Sequence, residues 1–185
     1  MSGYWMLLER WNAKVNLTAL PLPGAPSPSV DRLIIEPLLA VRLMPRAPMT
    51  WFDLGSGGGS PAIPIKIAIP EARLWMVESK SRKVAFLREV VRTLGLRSVD
   101  VLHDRVENVA VRQPGVAECI TVRALRLDQN LLKAARQLLS SSGRLVVFEN
   151  SDSAPQTSGF DTVAEVSWPE IATRIRAIVP RGTIN

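Results

Sequence analysis

The sequence predicts an α/β fold: an open, Rossmann-like sheet of mostly parallel strands with helices on both faces and short helices ahead of it. Three observations lead there. From Thr50 onward, short apolar runs alternate with amphipathic segments, the βαβα rhythm of a parallel sheet covered on both sides. The first run stops abruptly at Asp53 and the cluster Gly55, Gly57, Gly58 and Gly59, where missing Cβ atoms let a backbone approach a ligand closely. With 185 residues and 46% apolar content, the chain fills one core and is short for two. One domain is expected over 1–185, residues 1–49 forming a helical lid and 50–185 the core.

Taken in order, Tyr4, Leu7, Leu8, Trp11 and Val15 recur at the spacing of one apolar helix face, which should end near Asn16, Leu17 and Thr18 before a proline-rich stretch. Ser29 to Leu43 looks helical again, with Pro37 breaking it into two short helices. Strands are expected at Thr50–Leu54, Arg73–Val77, Val99–His103, Glu118–Val122 and Arg144–Phe148. Ser60 and Pro61 read as the N-cap and first position of a helix through Ile63, Ile65 and Ala68. The best helix is Lys80–Leu94, with Val84, Leu87, Val91 and Leu94 on one face and Gly95 where a C-terminal glycine belongs. Another runs from Asp128 to Leu139, burying Leu131, Leu132 and Ala135. Ser151 to Gly159 reads as a polar loop, and Phe160–Trp168 with Thr173–Val179 as an antiparallel pair closing the sheet edge.

The net charge of +6 comes mainly from arginine, 18 Arg against 5 Lys, and suits an anionic partner such as nucleic acid as well as it suits an ordinary solvated surface. Cys119 is the only cysteine, so a disulfide framework is excluded and a cytoplasmic location is expected. No apolar run approaches the ~18 to 20 residues of a spanning helix, so no membrane role is expected. His103 is the only histidine and reads as a strand-end residue. A histidine-based metal site or a Ser-His-Asp triad is therefore not expected, and no metal is placed.

In such a sheet the ligand lies beyond the carboxyl ends of the strands. The first strand ends in Asp53 and the glycines. The second ends at Glu78, 23 residues after Gly55, where a carboxylate can accept hydrogen bonds from both hydroxyls of a ribose. A dinucleotide site wants Gly-x-Gly-x-x-Gly, but position 60 is Ser, and no Gly-Lys-Ser/Thr of a phosphate loop follows. Asp-x-Gly-x-Gly-x-Gly with an acid on the next strand fits S-adenosyl-L-methionine better. A purely structural glycine turn is the plain alternative.

Trp11-Asn12-x-x-x-Asn16-Leu17-Thr18-Ala19, Asp53 to Gly59, Val77-Glu78-Ser79, Arg82-Lys83-x-x-Phe86-Leu87-Arg88-Glu89, Arg105-Val106-Glu107 and Arg123-Ala124-Leu125 together resemble the RsmG (GidB) family of small-subunit ribosomal RNA methyltransferases. The resemblance implies a class I S-adenosylmethionine-dependent methyltransferase fold and methyl transfer to guanosine N7 in 16S ribosomal RNA. It also implies cofactor contacts from Gly55, Ser60, Val106, Glu107 and Arg123. The motif reading adds Asp53, Gly57, Gly59 and Glu78. Guanine N7 carries a lone pair and no proton, so a general base is not needed, and Arg123 is expected to orient the methionine carboxylate or the base edge. Asn12, Asn16, Arg82 and Lys83 are candidates for gripping RNA; helix capping and a solvated helix start are the alternatives. A monomer acting on the small ribosomal subunit is expected. The chain departs from the family at Glu36-Pro37, Ala40-Val41, Ser60-Pro61-Ala62 and Glu149-Asn150. The Glu149 change reverses a charge where RNA approaches, and a non-catalytic cofactor- or RNA-binding protein, or a methyltransferase of another substrate, is the competing expectation.

Overall fold

The computed structural model describes residues 1–150, 157–168 and 172–182. It opens with α1 (Ser2–Asn12), then α2 (Ser27–Val30), a π-helical turn (Asp31–Ile35), α3 (Glu36–Ala40) and a 3-10 turn (Val41–Leu43). The core follows as β1 (Thr50–Leu54), α4 (Ala62–Ala68), β2 (Arg73–Glu78), α5 (Ser81–Thr93), β3 (Val99–His103), α6 (Val106–Arg112), β4 (Ala117–Arg123), α7 (Gln129–Leu138), β5 (Leu139–Asn150), β6 (Phe160–Trp168) and β7 (Thr173–Pro180). The sheet order is β3-β2-β1-β4-β5-β7-β6. The first five strands are parallel, while β7 runs antiparallel to both of its neighbours.

Strand alternation divides the core between the two faces. Trp51 is fully buried with Tyr4, Leu8, Ile63 and Phe86 on the face covered by α1, α4 and α5. Phe52 and Leu54 point the other way, joining Val109, Leu131 and Leu138 under α6 and α7. The strands between these layers are apolar on both sides, which explains why the sequence shows runs instead of strict alternation. Helix α7 starts where the Asp128 carboxylate accepts the Leu131 N–H at 2.9 Å, satisfying one of the free donors of its first turn.

Three expectations change. The two short helices expected from Ser29 are α2 and α3, with Pro37 in the first turn of the second, but a π turn joins them and the helical path runs without a gap from Ser27 to Leu43. Strand β5 begins at Leu139, five residues before the expected start, because Leu139 already pairs with Ala117 across a register shift. Residues 106–112, where no helix was expected, form α6. The polar loop expected from Ser151 lies, over residues 151–156, outside the described residues.

Candidate active site

A cavity of about 840 Å³ opens beyond the carboxyl ends of β1, β2 and β4, at the point where the strand order reverses between β1 and β4. The glycine turn after β1 forms one wall. Gly55 and Ser56 both donate their N–H to the Val77 carbonyl, at 2.8 and 3.1 Å, and this ties the turn to the end of β2. Gly57 sits at φ +51, a conformation that costs a side-chain-bearing residue, and donates its N–H to Glu78 Oε2 at 3.0 Å. The other Glu78 oxygen accepts the Lys80 N–H at 2.8 Å. Glu78 is buried but faces the cavity, and a carboxylate has about four acceptor positions, so two remain for a ligand.

On the opposite side Arg123 leaves β4 into the same cavity. Its guanidinium donates to the Arg32 carbonyl at 2.5 Å and lies 3.9 Å from the Glu36 carboxylate, which also pairs with Arg32 at 3.3 Å. Burial lowers the Arg123 pKa and raises that of Glu36; each group's charge partly offsets the shift of the other. Pro37 follows Glu36 in the same helix. Having no N–H, it leaves the Leu33 carbonyl without its helical donor, and the Ser60 hydroxyl fills the gap at 2.8 Å. Ser60 is thus not the N-cap of α4: that helix starts after Pro61, and the Ser60 side chain is turned toward the N-terminal helices.

Gly55, Gly57, Ser60, Glu78, Val106, Glu107 and Arg123 all line the cavity, but Asp53 and Gly59 do not. Asp53 shares the inner face of β1 with Trp51 and is 1% exposed. Its Oδ1 accepts from Thr121 Oγ1 at 2.5 Å, Thr121 in turn accepts the Trp51 indole N–H at 2.9 Å, and its Oδ2 has no partner. Burial pushes its pKa up to about 6, against the pull of the Ser56 and Thr121 hydroxyls and Arg123. Gly59 is a packing glycine, since a Cβ there would sit 2.9 Å from Ile63. Sequence reasoning gave Asp128 and Leu131 only a place in a helix, yet both also line the cavity; their position just after the end of β4, at the start of α7, was the available signal.

The four RNA candidates part company. Asn12 folds back on its own chain, its Oδ1 accepting the Leu17 and Thr18 N–H groups at 2.9 and 3.0 Å and its amide donating to the Thr18 carbonyl at 3.1 Å. The side chain therefore shapes the 17–19 segment that roofs the cavity. Asn16 is exposed, Lys83 lines the cavity, and Arg82 faces a separate groove with Arg10 and Lys14. The expected charge reversal at Glu149 does not hold: the side chain is buried and forked by Arg176 at 2.8 and 3.0 Å, with Arg174 at 3.6 Å. The Glu36-Pro37 departure likewise keeps polar contacts at the cavity wall. Among the described residues, no cluster of three or more potential metal ligands is present and no helix is long and apolar enough to cross a membrane.

Comparison with known proteins agrees with this architecture. A SAM-dependent methyltransferase of Aquifex aeolicus superposes with a TM-score of 0.63 at 18% identity, covering 82% of this chain and 93% of its own; at that identity it speaks for the fold. Ribosomal RNA small subunit methyltransferase G of Chloroflexus aggregans is 34% identical over 88% of this chain and 68% of its own length. Its counterpart in Polynucleobacter asymbioticus is 37% identical over 74% and 62% respectively. The chain thus spans roughly two thirds of the curated relatives it matches. The family model described as GidB, rRNA small subunit methyltransferase G, matches residues 1–170, and with a class I methyltransferase sheet beneath it this chain belongs to that family.

Proposed function

We propose that the chain transfers a methyl group from S-adenosyl-L-methionine to N7 of a guanosine in 16S ribosomal RNA, acting in the cytoplasm on the small ribosomal subunit as a monomer and without a metal. The observation that carries the reading is the clasp between Glu78 and Gly57: a buried carboxylate, braced by two backbone N–H groups, presents its remaining acceptors to a cavity of nucleoside size. The fit extends along the wall. Gly55, Gly57 and Gly58 offer bare backbone where an amino-acid moiety would lie, and Val77, Val106 and Leu131 offer apolar surface for a flat ring.

When bound, the cofactor supplies an electrophilic methyl group on a sulfonium. Glu78 would hold the ribose hydroxyls, Val106 and Glu107 the base side, and Ser60 and Arg123 the amino-acid end. The cations Lys80, Lys83, Arg105 and Arg126 around the same cavity favour an approaching phosphate backbone. Because the acceptor nitrogen carries no proton, these residues need only align the partners and exclude water, and residues 1–49 serve as the lid. The two acids that departed from the family pattern, Glu36 and Glu149, are both paired with arginines, so neither argues against catalysis. The test is incubation with radiolabelled S-adenosylmethionine and unmodified 30S subunits or 16S RNA, followed by mapping of the labelled base. Label at a guanine N7 is expected; tight cofactor binding without transfer to any RNA would refute it.

A further inference from the structure

A second concavity, about 580 Å³, lies between α1 and the start of α5, lined by Arg10, Trp11, Lys14, Val15 and Arg82. We propose that it docks a single-stranded part of the RNA substrate, one base lying on Trp11 and the flanking phosphates on Arg10, Lys14 and Arg82; the inference rests on the RNA-modifying reading above.

The floor is apolar and flat. Trp11 is half-buried and fixed by Phe86, ring centroids 5.8 Å apart at 59°, so its ring position is set before any ligand arrives. The rim is cationic. Arg10 is 67% exposed, and its nearest carboxylate, Glu89 at 3.9 Å, is already forked by Arg92 at 2.9 Å. Lys14 and Arg82 are exposed. An aromatic plate ringed by three cations matches the alternation of base and phosphate along a single strand, and stacking on it tolerates any sequence.

The groove also adjoins the cavity through the chain itself. Arg82 lies in the first turn of α5, whose neighbours Lys80 and Lys83 line the cavity. Lys14 and Val15 lead directly into Leu17, Thr18 and Ala19 of the cavity roof. A strand leaving the groove thus meets the cavity within about one helical turn, keeping its phosphates near lysines throughout.

The test titrates a short fluorescein-labelled single-stranded RNA, copied from the small-subunit RNA, by fluorescence anisotropy over a salt series. The exposed double variant Lys14→Ala/Arg82→Ala should bind roughly tenfold more weakly and lower the log–log salt slope by about 1.4, the value for two lost phosphate contacts on a single strand. Trp11→Ala should cost roughly tenfold where Trp11→Phe costs little. Lys14 and Arg82 are both exposed, so the double variant decides the matter even if Trp11→Ala unfolds. Unchanged affinity and slope in the double variant would overturn the proposal. Poly-glutamate that binds as tightly as the RNA, and loses affinity equally in the double variant, would assign the groove to an acidic protein and overturn it as well. Titrating S-adenosylmethionine into the same variant separates the two readings. Retained cofactor affinity with lost RNA affinity supports the groove, whereas equal loss of both overturns it as a separate site. Failure of the unaltered protein to bind the cofactor refutes the activity while the RNA titration still judges the groove.

Discussion

Replacing Asp53 with Asn should change how stability depends on pH. The Asp53 carboxyl is 1% exposed, with one oxygen bonded to Thr121 and the other without a partner, and burial lifts its pKa from 3.8 to about 6. Between those two values the native state keeps a proton that the unfolded chain has released. Stability therefore falls as pH rises through the window and levels off above about pH 6. At about 1.4 kcal/mol for each tenfold change in proton affinity, the fall amounts to roughly 3 kcal/mol. Asn keeps an acceptor for Thr121 and does not titrate, so the variant should lack this fall. Urea unfolding of both proteins between about pH 4 and pH 7, followed by tryptophan emission, isolates the effect, because Glu36 titrates in both and cancels. The stability difference should shift by roughly 3 kcal/mol in favour of Asn as pH rises. A difference that stays level within about 0.5 kcal/mol would show that Asp53 is ionised throughout, and the account of its burial would be wrong.

Glu78→Gln replaces one carboxylate oxygen by a donor facing a backbone N–H, either that of Gly57 or that of Lys80; it should cost about 1.5–3 kcal/mol and weaken S-adenosylmethionine binding at least tenfold by calorimetry. Unaltered affinity would remove Glu78 from the ligand's seat. Asp128→Ala removes the cap of α7 and should lower stability by about 1 kcal/mol, seen as a melting shift of about 2–4 °C; no shift would mean that water replaces the cap at no cost. Glu149→Ala strands Arg176 in a mostly buried position and should cost about 3–5 kcal/mol in denaturant unfolding, whereas Glu149→Met with Arg176→Met should recover most of that loss. A single variant as stable as the parent would show the pair to be solvated.

The sequence was most readable where packing dictated residue type. Strands β1 and β3 fall at the expected bounds because short apolar runs between turn residues have few other homes, and α5 falls within one residue of its expected limits because four apolar positions keep helical spacing. Helix α6 escaped notice because it buries only Val109 and Ala110, too few for a period to emerge. The start of β5 was hidden by Ser140, Ser141 and Ser142, which lie in the register shift between the Leu139–Ala117 and Arg144–Cys119 pairs and carry no apolar pattern. At the site, residue types were legible but their facing was not. Asp53 and Gly59 belong to the motif by spacing, yet they turn into the packed side of the loop, which depends on the direction of β1 and on Ile63. The same limit made Glu149 read as a foreign charge, since its closest arginine partner, Arg176, lies 27 positions away in sequence.

The Tyr4 hydroxyl donates to the Gly58 carbonyl at 2.7 Å, a contact across 54 positions of chain, and Leu17 lies against the same glycine. During synthesis the roof of the crevice therefore leaves the ribosome well before the floor it must meet. Contacts separated by that much chain form late, because loop closure has to precede any gain from them. A partly folded protein can hold its central strands together and still lack a finished crevice, so ligand affinity reports whether this polypeptide has completed its folding.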